Sequence, residues 1–116
     1  MRWAVLLVVL AAGCQDRTTG LQTLCNAPRD CQECQSVDPA ERDQTMAAHI
    51  DRSVRNDAAR ALYDEVSKVS DAERAKLLRD AADEVGLSRC ILADRYQARA
   101  EAWEAHQENP DQPPPE

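Results

Sequence analysis

The chain has no phenylalanine, only three glycines, two histidines, two tyrosines and two tryptophans in 116 residues. Each shortage excludes something. With Trp3 near the start, the aromatics beyond Cys14 are Tyr63, Tyr96 and Trp103, so the interior must be built from alanine and a few branched aliphatics. Alanine buries little area, and a body of this size is marginal on apolar burial alone. Scarce glycine removes the Gly-rich loops that cradle phosphate, and no GxSxG or HExxH pattern occurs. The histidines, His49 and His106, lie far apart and neither has a motif partner. Carboxylates stand on every segment, so no pair is singled out as acid and base. We expect no enzymatic activity, no cofactor, no metal and no deep small-molecule pocket.

A long apolar run is also missing. Ala4 to Ala12 is apolar throughout, yet a membrane-spanning helix needs about 20 such residues. Preceded by Arg2 and followed by small residues, this run has the form of a signal-peptide core. The net charge is −7, and Arg2 is the only charge before Cys14, so the chain from Cys14 onward carries −8. That balance repels nucleic acid phosphates and anionic headgroups, which argues against nucleic acid as a partner. Acidic and basic residues are interspersed, as on a solvated helical surface.

Leu10-Ala11-Ala12-Gly13-Cys14 resembles the lipobox of bacterial lipoproteins. Ala11 holds the place where leucine is commonest, and Leu10 stands one residue earlier. The resemblance covers residues 1–14 alone, and no family resemblance is found for residues 15–116. It implies diacylglycerol on the Cys14 thiol, removal of residues 1–13 and attachment to a membrane facing the periplasm. Gln15, in the place where aspartate marks retention in the inner membrane of enteric bacteria, leans the assignment to the outer membrane. Ordinary secretory cleavage after Gly13 is the competing reading.

Five cysteines is an odd number for an exported chain. Lipid on Cys14 leaves Cys25, Cys31, Cys34 and Cys90, an even set for an oxidising compartment. Three pairings exist, and in each Cys90 joins the Cys25–Cys34 cluster, closing a span of 56 to 65 residues. A loop of that length contributes roughly 4 kcal/mol. The second bridge is expected to close a short loop near Pro28. The alternative is a periplasmic thiol-redox or metal-binding role for the same four cysteines. Cys31-Gln32-Glu33-Cys34 lacks the strand and helix of a redox unit, has no following histidine for haem, and Cys90 forms no second zinc knuckle.

From Asp38 the apolar spacing is helical. Asp38-Pro39-Ala40-Glu41 makes a start, with Met46, Ile50 and Val54 on one face. Asn56 caps a second helix carrying Ala59, Leu62, Val66 and Val69. Ser70-Asp71-Ala72-Glu73 opens a third with Ala75, Leu78, Ala82 and Val85 buried, and Gly86 ends it. A fourth begins near Ser88 to Cys90 and carries Leu92, Tyr96, Ala100 and Trp103. No segment alternates with period two. The expected fold is all-α: a small antiparallel array of three to four helices with an irregular, disulfide-stapled N-terminal segment. The expected organisation is a signal peptide over 1–13, a lipidated N-terminus and polar tether over 14–22, the helical domain over 23–107 and a disordered Pro-rich acidic tail over 108–116. Tyr96 and Trp103 are the candidate partner contacts, although packing onto the domain is the commoner fate of such residues. The expected function is a membrane-anchored binding or assembly module for another protein of the cell envelope.

Overall fold

The computed structural model describes residues 15–111. The signal sequence, Cys14 and residues 112–116 lie outside them. Among the described residues there are seven helices and no strand: α1 Arg17–Cys25, α2 Ala27–Asp30, α3 Gln32–Ser36, α4 Pro39–Ser53, α5 Asp57–Val66, α6 Asp71–Glu84 and α7 Ile91–Glu108. The four helices expected from the spacing are α4 to α7. The N-terminal segment, expected to be irregular, is instead three short helices.

The caps explain most boundaries. Asn56 Oδ1 accepts from the Ala59 N–H at 3.0 Å, which separates α5 from α4 although the apolar spacing runs through both. Ser70 caps α6 by accepting from the Glu73 N–H. Asp38 sits at the start of α4 without a side-chain cap bond, and Pro39 at the first position sets the entry. After α6 the chain reverses at Gly86, the one described residue with positive φ, at 78°. There the Leu87 N–H reaches the Ala82 carbonyl and the Gly86 N–H the Asp83 carbonyl, a Schellman closure that a side chain at Gly86 would strain. The turn sends α7 back along α6. Arg79 meets Asp94 near the turn and Arg99 meets Asp71 at the far end, which fixes the two helices as antiparallel.

The polar tether expected over residues 14–22 is overturned from Gln15 on. Asp16 accepts from the Thr19 N–H at 2.7 Å and caps α1, and those hydrogen bonds hold its carboxyl below the usual range. Gly20, Leu21, Leu24 and Cys25 form one buried face of α1. That face packs against α4, α5, α6 and α7, so α1 is the centre of the body rather than its leash. Polar residues between these positions conceal the pattern: Thr18, Thr19, Gln22 and Thr23 make α1 look soluble throughout. At the other end the helix runs to Glu108, so the first residue of the tail expected over 108–116 is helical; Asn109–Asp111 follow the helix, and 112–116 lie outside the described residues.

The core is thin, as the composition requires. Its largest fully buried members are Leu21, Leu24, Leu78, Leu92, Val54 and Val66, followed by Cys25, Cys31 and Cys34. Two disulfides supplement it. Cys25–Cys90 joins the end of α1 to the start of α7, and Cys31–Cys34 closes the turn into α3. The short loop therefore lies just after Pro28 and does not enclose it.

Two outcomes follow from this packing. Removing the long bridge in a Cys25→Ser/Cys90→Ser variant should cost about 4 kcal/mol, read as a fall in the urea midpoint with α6 and α7 opening together. An unchanged midpoint would show that the bridge constrains nothing. Gly20 faces Asn56 so closely that an added Cβ would lie 2.6 Å from the Asn56 Cβ. Overpacking of that kind costs about 1–3 kcal/mol, which exceeds the roughly 1 kcal/mol helix propensity gained by alanine. Gly20→Ala should therefore lower the melting temperature, where an exposed helical glycine would raise it.

Candidate functional site

Side chains from α4 and α7 line an open concavity. The two helices share the core at their inner edges but do not pack along their length, and a trough of about 490 Å³ separates them. Helical spacing sets its walls: Pro39, Arg42, Asp43 and Met46 recur on one face of α4, and Leu92, Tyr96, Arg99 and Ala102 on one face of α7. Met46, Leu92 and Tyr96 are buried residues at its floor. Arg42 and Arg95 stand at its rim.

Arg99 fixes the far end. Its Nε and Nη2 donate to the two oxygens of Asp71 at 2.9 and 2.8 Å, and its Nη1 donates to Asp43 at 3.1 Å. One guanidinium thereby joins α7 to the start of α6 and to α4. The planar fork matches the carboxylate of Asp71, a geometry that lysine would not reproduce. The Asp71 hydrogen bond and the nearby Asp43 charge push the Arg99 guanidinium further above its already high range. Arg74 completes the layer by donating to the Val69 and Ser67 carbonyls, closing the turn between α5 and α6.

Tyr96 lies between these cations. The Arg74 and Arg99 guanidinium carbons stand 5.2 and 5.4 Å from its ring centroid, within cation–π range. Burial pushes its phenol above the usual value near 10, and the two guanidinium groups oppose that only in part. Tyr63 shifts the same way for the same leading reason. Tyr96 is thus mainly a packing residue with one edge on the trough.

Trp103 is different. The expectation that it packs onto the domain is overturned, because it is 51 % exposed. Spacing places Tyr96, Arg99 and Trp103 on one face of α7, but Asp71, which pairs with Arg99, is the first residue of α6, so α6 starts about one turn short of Trp103. Its neighbour is His106, with ring centroids 5.8 Å apart. The His106 Nδ1 is shielded from solvent and finds no hydrogen-bond partner among the described residues. Glu101, Glu104 and Glu108 complete this projecting end.

The four domain cysteines gather elsewhere. Cys25, Cys31 and Cys34 are each 1 % exposed and Cys90 is 3 %, all in disulfides. The Cys34 N–H donates to Cys31 Sγ at 3.3 Å, and Arg42 donates to the Cys34 carbonyl at 3.2 Å. An attacking thiolate has no access to sulfurs so placed. His49 lies on α4.

Of the candidate contacts read from the sequence, Tyr96 and Trp103 do share the α7 face, one at the trough and one beyond it. Arg42, Asp43, Asp71, Arg95 and Arg99 were not among them. The partners of Arg99 lie 28 and 56 residues away, so no local spacing reveals them. The one cue is Arg95 and Arg99, four apart and flanking Tyr96 within an otherwise apolar stripe.

No protein-family model, curated protein or solved structure matches the chain.

The raised tyrosines give a signed pH effect. A phenol that resists ionisation in the fold, but ionises freely once unfolded, leaves stability intact below pH 10 and drains it as pH rises further. No hydrogen bond engages the Tyr96 hydroxyl among the described residues, so Tyr96→Phe should change stability little at pH 7 and flatten the loss above pH 10. Parallel alkaline curves for the two proteins would contradict this.

Proposed function

We propose that the chain is a lipoprotein of the bacterial cell envelope, anchored by lipid on Cys14 and facing the periplasm, with the outer membrane favoured. Its helical body acts as a non-catalytic binding or assembly module for another envelope protein. The observation that carries the reading is the fate of the sulfurs. Cys25 pairs with Cys90 and Cys31 with Cys34, which leaves Cys14, directly after Ala11-Ala12-Gly13, as the odd one. We read α4 to α7 as one antiparallel array onto which α1 to α3 are stapled.

The binding role is supported by the trough between α4 and α7 and by exposed Trp103 beside it. An exposed large aromatic adjoining a groove is a frequent anchor at protein interfaces. The thiol-redox alternative is supported less, because all four sulfurs are buried and paired. The anchor itself is supported by energetics: each buried methylene contributes about 0.8 kcal/mol, so two or three acyl chains hold a protein at a bilayer almost permanently.

The test is Cys14→Ser in cells, followed by membrane fractionation and intact mass. The parent protein should sediment with membranes, carry acyl mass on its first residue and show four oxidised cysteines. The variant should retain the signal and lose the acyl mass. Equal sedimentation and processing of the two proteins would end the anchored reading.

A further inference from the structure

We infer that the trough between α4 and α7 is the seat of an acidic, amphipathic helix from a partner protein. The inference deepens the module reading above and rests on it for the partner being an envelope protein.

The argument begins with shape. Pro39, Arg42, Asp43 and Met46 on α4 face Leu92, Arg95, Tyr96 and Arg99 on α7 as two helical edges, joined at the far end by the Arg99–Asp43 pair. Leu92 to Ala102 spans about 15 Å of helix axis, the length of roughly ten residues of a third helix laid along the gap. Helix-in-groove recognition uses such geometry: apolar anchors at spacings of three and four enter a groove floored by side chains like Met46, Leu92 and Tyr96. Alanines at 98 and 102 let the occupant's backbone approach α7 closely.

Charge then selects the occupant. The chain from Cys14 onward carries −8, yet the trough is lined by three arginines and one carboxylate. Asp43 is already held by Arg99. Arg42 uses only its Nε on the Cys34 carbonyl, and no ion pair among the described residues engages Arg95. The glutamates of α7 do not offset them. Glu101 and Glu104 fall outside the lining, on faces turned away from Arg95 and Arg99 by the 3.6-residue repeat. Two guanidinium forks at the edges of an apolar floor fit carboxylates flanking an apolar stripe. Trp103, one turn beyond Arg99 on the same face, extends the contact along α7.

The test uses the purified protein and two dye-labelled, 16-residue synthetic helices with the same leucine stripe, one flanked by glutamate and one by lysine, read by fluorescence anisotropy. The glutamate helix should bind about ten-fold more tightly, with affinity falling as salt rises. Arg95→Glu should abolish that preference while circular dichroism stays unchanged, and Trp103→Ala should weaken binding of the glutamate helix. Arg42→Glu is a second variant, less clean because Arg42 also holds α3. Equal affinity for the two helices, no binding of either, or a preference that survives Arg95→Glu would overturn the proposal. So would binding of vesicles of phosphatidylcholine and phosphatidylglycerol (3:1) that Arg95→Glu removes and the glutamate helix does not compete, since the arginines would then serve lipid headgroups. The two readings fail separately: a chain found without acyl mass but still preferring the glutamate helix keeps the trough assignment and loses the anchor, and a lipidated chain with no preference does the reverse.

Discussion

The bond between Cys25 and Cys90 sets the terms on which the remainder of the body folds. It joins residues 65 apart and brings their α-carbons to 4.5 Å, so the last turn of α1 and the first of α7 are held as one unit. Everything between them must then close on itself: α2 and α3 pack down onto α4 and α7, and α4 to α6 wrap around α1. An all-leucine or aromatic interior could have enforced this through burial. Here the interior is chiefly alanine, valine, cysteine and four fully buried leucines, and the chain entropy removed by a long loop is a comparable share of a small domain's stability.

That constraint also explains why α4 and α7 leave a trough. The bridge anchors α7 at its start, and antiparallel packing on α6 directs its path. Helix α4 is placed by α1, α2 and α3 instead. Two helices positioned by different neighbours need not meet along their lengths. What joins them is a polar layer, in which Arg99 reaches Asp43 on one side and Asp71 on the other. A bidentate arginine spans a gap that the short side chains of this sequence would leave as a void.

Parts of this fold were legible in the sequence because their signals are local. Asn56, Ser70 and Gly86 act within four residues of where they stand, and each cap or turn formed as its chemistry requires. The buried stripes of α4, α5 and α6 follow from period alone. The role of α1 was hidden because only Gly20, Leu21, Leu24 and Cys25 carry it, and a nine-residue helix is too short for periodicity to emerge above its threonines. The pairing of Cys25 with Cys90 was one of three equal arrangements until the positions of α1 and α7 were known. The trough was the least legible part. It arises from a gap between helices, and a gap has no residues of its own.

Gln15 is clamped to the body. Its Nε2 donates to the Ser53 carbonyl at 3.0 Å, its Oε1 accepts from the Arg55 N–H at 2.8 Å, and its carbonyl accepts from Asn56 Nδ2 at 3.3 Å. Residue 15 is thereby tied to the junction of α4 and α5, and it is the residue bonded to Cys14. On the anchored reading there is no slack between lipid and body: one peptide bond separates an acylated cysteine from a residue held by three hydrogen bonds. A long flexible linker would let the body sample every orientation and present the trough at any height. A clamped one would, on that reading, keep the α4–α5 junction close to the lipid, and Pro39 stands fourteen residues, or about 21 Å of helix axis, from that junction.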